Sequence, residues 1–356
     1  MRIGVIGTGR IGAFHVGTLR GLPEPPDVLV TDVNAEAAQA VAAATGSDVA
    51  PSVDELFAAG LDGVVIASAT DTHAPLLRRA LEEGVAVFCE KPVARTLPEA
   101  IVLARLEQAS EVPVQIGFQR RWDPGYRRAR QALRDGDLGE LHQVRCATHD
   151  PQPPPPAYVA LSGGIFRDCS IHDFDVLRFV TGTEVEQVYA SGGSKGDPSF
   201  AAAGDTATAA AILTLTDGTV ALVTAMRYNG AGYDVRMELH GTTGALAVGL
   251  DDSTALRSAE PGVAGPGGTP HRTFMDRFRT AYVRELAAFA EVARGERASE
   301  CTVADGLEAL RIAEACDLSQ REGRVVHLAE IADVASDGIP DEFDGKTTPE
   351  SATEQP

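Results

Sequence analysis

Ile3-Gly4-Val5-Ile6-Gly7-Thr8-Gly9-Arg10-Ile11-Gly12 stands near the start of the chain and decides the reading of the fold. A short apolar run leads straight into three glycines spaced G-x-G-x-x-G. The first glycine permits a tight strand-to-helix turn and the second lets backbone approach a diphosphate. The third lets helix and strand pack closely, and the diphosphate rests on the helix N-terminus. Asp32 follows the next apolar run, Val28-Leu29-Val30, twenty residues beyond Gly12. A carboxylate at that distance binds ribose hydroxyls. No arginine lies within 33–37 to clamp a 2′-phosphate, so NAD is expected in preference to NADP. Two alternatives stay open. The glycines could serve packing alone, with Asp32 capping the helix that starts near Ala35. A methyltransferase crevice is the other, although it usually carries an acid just before the glycine loop, where this chain has Val5-Ile6.

Outward from this motif, apolar runs at Val64–Ala67, Val85–Phe88 and Val112–Val114 alternate with helical stretches at Ala35–Ala44, Pro75–Glu83 and Pro98–Ala109. Continuous apolar strands separated by helices describe a parallel sheet covered on both faces. We expect residues 1–121 to form a Rossmann domain. The texture then changes. A helix at Pro124–Arg134, a strand at Leu141–Ala147, a proline-rich loop at Pro151–Pro156 and a helix at Cys169–Val180 come first. Runs at Ala207–Leu215 and Val220–Tyr228 flank Asp217-Gly218, and runs at Asp234–His240 and Ala245–Val248 flank Gly241–Gly244; both read as hairpins. Helices at Thr273–Ala293 and Val303–Glu322 complete an α+β domain over 122–333, and the polar, acidic residues 334–356 read as a disordered tail. Val220, Leu222 and Met226 oppose Ala221, Val223 and Ala225 in direction, so both faces of the hairpin sheet can be covered. One face suits helices and the other a second subunit.

A chain of 356 residues suits two domains, and its formal charge of −20 argues against nucleic acid or anionic lipid as partner. No apolar run is long enough for a membrane span. The five cysteines are scattered without a C-x-x-C, which fits neither a disulfide framework nor a zinc site and suits a cytoplasmic protein. Only three lysines occur, Lys91, Lys195 and Lys346.

Lys91 follows Cys89-Glu90 at the end of an apolar strand, where the ligand crevice of an open α/β sheet lies. Asp168, His172 and Asp175 are spaced to share one helical face, and such a row of carboxylate and imidazole suits proton transfer. The other reading of that row is a helix cap followed by a solvated charged face.

Gly7–Gly12, Glu90-Lys91-Pro92, Gly117–Tyr126, Gly163–Asp175 and Tyr228–Val235 together resemble the Gfo/Idh/MocA oxidoreductases, and among them the inositol-oxidising branch. The resemblance spans roughly residues 1–330. It implies a Rossmann domain followed by an α+β domain with a large, mostly antiparallel open sheet, assembled as a homodimer or homotetramer. It implies a catalytic trio of Lys91, Asp168 and His172, with substrate contacts also at Asp150, Tyr233 and Tyr282. The expected NAD contacts are Gly7, Gly9, Arg10, Ile11, Gly12, Asp32, Thr70, His73, Glu90 and Lys91. The implied reaction is oxidation of a secondary hydroxyl on a small polyol or sugar, with hydride passing to NAD and no metal required. A non-catalytic NAD-binding sensor is the alternative class, and loss of Lys91 or His172 would be its signature.

Overall fold

The computed structural model describes residues 1–195 and 197–331; the expected tail lies outside them. The first sheet contains β1 (Arg2–Ile6), β2 (Asp27–Thr31), β3 (Asp48–Val49), β4 (Gly63–Ile66), β5 (Ala86–Glu90) and β6 (Val114–Gly117). All pairs are parallel, in the order β3-β2-β1-β4-β5-β6. Strand order reverses between β1 and β4, and such a switch point opens a ligand crevice at the strands' C-terminal ends. Two-residue β3 carries no sequence signal. Strand β6 starts two residues later than its apolar run, after Pro113, which has no N–H for the ladder.

Helix ends follow local chemistry. Asn34, not Asp32, caps the Ala35–Thr45 helix, its side chain accepting from Glu36 and Ala37 N–H, and Gly46 ends it at φ +67°. A capping box of Thr96 and Glu99 starts the Leu97–Gln108 helix.

One face of this sheet packs on the helices Val53–Ala58, His73–Glu82 and Leu97–Gln108. The other packs on Arg10–Arg20, Ala35–Thr45 and, from far along the chain, Arg279–Ala293. The Phe289 ring of that last helix meets Phe88 edge-on at 5.7 Å. A Cβ on Gly63 would stand 3.1 Å from the same ring. Burying such a side chain contributes about 2 kcal/mol. The Val303–Glu322 helix also returns: Ile116 N–H donates to Cys301 O at 2.8 Å, just before that helix begins. The division near residue 121 therefore separates two sheets but not two cores. The expected helix at 273–293 is two, Phe274–Arg277 and Arg279–Ala293, with Phe278 between them outside helical geometry.

The second sheet contains β7 (Leu141–His149), β8 (Val185–Gly193), β9 (Thr208–Leu215), β10 (Val220–Met226), β11 (Asp234–Gly241), β12 (Ala245–Val248) and β13 (Val326–His327). Their order is β12-β11-β7-β10-β9-β8-β13. Both expected hairpins form, β9 with β10 and β11 with β12. The remaining pairs are antiparallel except β7 with β10, which run parallel with His149 opposite Met226. Val144, Cys146, Leu213, Ala221, Val223 and Ala225 are buried in the apolar core on the sheet's inner face. On the outer face Tyr189, Ile212 and Leu222 align across three strands, with Tyr189 44% and Ile212 49% exposed.

Candidate active site

The glycine loop divides into residues the fold requires and one that it does not. Gly7 sits at φ +94°, and a Cβ there would lie 2.6 Å from Ser68 N. A Cβ on Gly12 would lie 1.9 Å from Gly7 O. Both glycines are needed for strand and helix to meet. Around Gly9 nothing lies within 4 Å of a Cβ position. That open space lies over the start of the Arg10–Arg20 helix, whose first turn has neither an acidic residue nor a side-chain cap. Unpaired N–H groups and the helix dipole suit a diphosphate there.

Asp32 follows β2 and reaches back to the glycine loop. Its Oδ2 accepts from Thr8 N (2.6 Å) and Oγ1 (3.0 Å), and Oδ1 accepts from Asn34 N at 2.8 Å. Burial works to raise this carboxyl, but the hydrogen bonds from Thr8 and Asn34 outweigh it and lower its pKa. It is an ionised acceptor, not a helix cap.

Arg10 is exposed at the helix start and lays its guanidinium 5.0 Å from the centre of the Phe274 ring; Ile11 is half-buried behind it, and Thr70 opens the turn after β4. Two expected cofactor contacts are placed differently. His73 is buried, with Nδ1 2.8 Å from Pro92 O and Nε2 3.2 Å from Ser68 O. Burial lowers its pKa, so a neutral ring donates from Nδ1 and braces the segments after β4 and β5. Both nitrogens face main-chain oxygens, which leaves no polar atom of His73 for a cofactor. Glu90 turns Oε1 to buried His15 Nε2 at 2.6 Å, tying β5 to the Arg10–Arg20 helix.

Lys91 begins the turn after β5. Its Nζ donates to Asp168 O at 3.0 Å and lies 3.4 Å from Asp168 Oδ1. Asp168 sits in a π-helical turn, Phe166–Ser170, which precedes the α-helix Ile171–Thr181 where one regular helix was expected. Its carboxylate also accepts from Tyr158 OH at 2.8 Å and from Arg227 Nη2 at 2.6 Å. Burial would raise its pKa, but Lys91, Arg227 and Tyr158 together hold it below the ordinary value.

The expected row on the helix breaks up. Asp168 is spent on Lys91, Tyr158 and Arg227, and does not orient His172. The His172 ring stands edge-on to Phe118 at 5.8 Å, with Nδ1 buried and unpartnered, leaving Nε2 for the cleft. Burial, then Lys91 and Arg120, push its pKa well below 6.5, so the ring is neutral at pH 7. Asp175 is no part of the site: it is buried in a two-oxygen ion pair with Arg121 (2.6 and 2.9 Å).

Asp150 caps the end of β7 and accepts from Arg227 Nη1 at 2.9 Å. Tyr233, buried just before β11, is held by its N–H on His271 O at 2.8 Å. The buried Tyr282 ring contacts Phe14, His15 and Phe274, which places it at the joint between the Arg10–Arg20 helix and the later part of the chain. Arg227 and Tyr158 are the two residues that sequence reasoning missed. Lys91 and Arg227 balance Asp150 and Asp168 in charge, and a neutral imidazole stands beside them. That combination can remove a proton and steady the oxyanion it leaves. Among the described residues no group of three or more His, Cys, Asp or Glu side chains could hold a metal.

Residues 1–118 match the model of the oxidoreductase family with NAD-binding Rossmann fold, and residues 126–247 match the GFO/IDH/MocA C-terminal domain. The chain is 38% identical to myo-inositol dehydrogenase Hyg17 of Streptomyces leeuwenhoekii, over 91% of this chain and 99% of the relative. It is 36% identical to inositol 2-dehydrogenase of Rhizobium meliloti, over 92% and 99%. The crystal structure of scyllo-inositol dehydrogenase from Lactobacillus casei with bound NAD(H) and scyllo-inositol matches with a TM-score of 0.83 at 28% identity, covering 92% of this chain and 99% of that one.

Proposed function

This chain belongs to the Gfo/Idh/MocA oxidoreductases, with an NAD-binding Rossmann domain, and from that footing we propose that it oxidises a secondary hydroxyl of inositol, with myo-inositol going to the 2-ketone. The observation that carries this reading is the meeting of Lys91, Asp168 and His172 at the crevice end of β5. Relatives named as inositol dehydrogenases support the choice of substrate.

Bound NAD supplies the hydride acceptor. Gly9 and the N-terminus of the Arg10–Arg20 helix would hold its diphosphate over the turn that Gly7 and Gly12 allow, with Arg10 and Thr70 offering further contacts, and Asp32 would accept from ribose hydroxyls. His172, neutral at pH 7, receives the proton of the reacting hydroxyl on Nε2. Lys91 donates to the same oxygen and steadies its growing negative charge. Asp168 fixes the lysine, while Asp150 accepts from neighbouring hydroxyls and Tyr233 donates to them. The two cations and two carboxylates cancel, which suits an uncharged polyol. Purified protein with NAD, a panel of inositol isomers and aldoses, and absorbance of reduced nicotinamide tests this. Turnover of myo-inositol above the aldoses supports it, and turnover of aldoses alone overturns it.

The outer face of the second sheet, with Tyr189, Ile212 and Leu222 aligned, is the surface we assign to a second copy of the chain. No helix among the described residues is long and apolar enough to cross a membrane. The five cysteines are free, buried thiols, in keeping with a reducing, cytoplasmic setting.

A further inference from the structure

We propose that Arg227 is the positioning residue of this active site: it fixes the aim of Asp168 by clamping it to Asp150. The inference rests on the dehydrogenase reading above and adds a residue that reading does not require.

The geometry begins with strand direction. β7 and β10 run parallel with His149 opposite Met226, so the next residues, Asp150 and Arg227, emerge side by side at one end of the sheet. The main chain there is pinned: Asp150 N donates to Met226 O (2.8 Å), Asn229 N to Asp150 O (2.7 Å) and Arg227 N to Ala207 O (2.8 Å). Only 4% of Arg227 is exposed. Its fork spans two carboxylates, Nη1 to Asp150 Oδ2 at 2.9 Å and Nη2 to Asp168 Oδ2 at 2.6 Å. Oδ1 of Asp168 is left to Lys91 and Tyr158.

A lysine, with its compact ammonium, does not reproduce a planar fork across two acceptors. Without a cation here, Asp150 and Asp168 would oppose Lys91 alone, and the buried Asp168 would bind a proton more readily. A protonated Asp168 no longer balances Lys91, and its freed oxygen is no longer aimed. The charged and titratable groups facing Asp168 are Lys91 after β5, Tyr158 on the short Pro156–Val159 helix, Cys169 beside it, Asp205 ahead of β9, Arg227 just after β10, and Asp150 through Arg227. Arg227 is the one that touches both carboxylates.

The test compares Arg227→Lys and Arg227→Met with the parent enzyme, using kcat, KM, the pH profile of kcat/KM and NAD affinity. We expect Arg227→Met to lower kcat about 100-fold, the scale of a misaimed catalytic group. The parent's acid limb belongs to His172; in Arg227→Met the protonation of Asp168 should enter the same limb and steepen it, as loss of a nearby opposite charge requires. Arg227→Lys, which keeps the charge, should restore the slope of the acid limb but only part of kcat. NAD affinity should stay within about 3-fold in both, since Arg227 lies outside the nucleotide crevice. A parent-like pH profile in a folded, NAD-binding Arg227→Met overturns the proposal, whatever its kcat. If Arg227→Met fails to fold, Arg227→Lys decides alone: full parental kcat or a changed acid limb overturns the proposal, and reduced kcat with a parent-like acid limb and NAD affinity supports it.

Discussion

Lys91 Nζ bonds the main-chain carbonyl of Asp168 at 3.0 Å, closer than the carboxylate of the same residue at 3.4 Å. A lysine after the Rossmann strand β5 is thus tied to the backbone of a turn seventy-seven residues later. The tie sets where the ammonium sits independently of the carboxylate's rotamer.

Replacing Lys91 by Met removes the donor to the developing oxyanion. Turnover should fall about 100- to 1,000-fold, the usual loss for one such donor. NAD affinity, measured by quenching of protein fluorescence, should change little. Near-parental turnover would show that Lys91 does not touch the reacting oxygen.

Gly9 and Gly12 should separate binding from folding. Gly9→Ala meets nothing within 4 Å and has a backbone open to alanine, so its Tm should match the parent while NAD affinity falls at least 10-fold. Gly12→Ala drives a Cβ into Gly7 O and should cost about 3 kcal/mol or more of stability. Equal melting temperatures for both would contradict the packing described.

The pH profile follows from His172. Its pKa lies well below 6.5, so the base is neutral and ready across the physiological range. The acid limb of kcat/KM for oxidation should therefore fall below pH 6.5, and activity should be lost as pH drops through it. Stability carries the same sign: a histidine neutral in the fold and protonated when unfolded favours unfolding as pH falls below about 6.5. An acid limb centred above pH 7 would contradict the assignment.

Ile212→Glu puts a charge in the middle of the exposed row on the second sheet, beside Tyr189 and Leu222. Sedimentation velocity should show a smaller species than the parent, with little change in far-ultraviolet circular dichroism. An unchanged sedimentation coefficient would remove this face from the assembly.

Much of this was open to reading because local rules placed it. Gly7, Asp32 and Lys91 each follow a strand end, with Gly12 in the first turns of the next helix, and apolar runs locate strand ends well. The Asp217-Gly218 turn and the Val303–Glu322 helix lie where their punctuation puts them. Arg227 was out of reach because its neighbours depend on β7 and β10 running parallel, a long-range pairing that neither segment encodes. Tyr158 arrives from a one-turn helix, Pro156–Val159, too short to show a period in the sequence. Asp168 and His172 were found, but regular spacing gave them Asp175 as a companion. A π-turn and a buried Arg121 send that carboxylate elsewhere. His73 shows the same limit: its position beside the crevice was legible, while the carbonyls of Ser68 and Pro92 that occupy its ring were not.

The Arg279–Ala293 helix that seats Phe289 under Gly63 also governs when the protein can finish folding. A ribosome delivers residues 1–121 long before that helix emerges. Until then the face of the first sheet carrying Val65 and Phe88 lacks its cover of Leu286, Phe289 and Ala290. The nucleotide-binding half is therefore completed only once residues 279–293 have emerged, and a fragment cut after residue 121 should need a chaperone or precipitate. Expression of the cofactor domain alone will call for the distal helix, supplied in trans or grafted on.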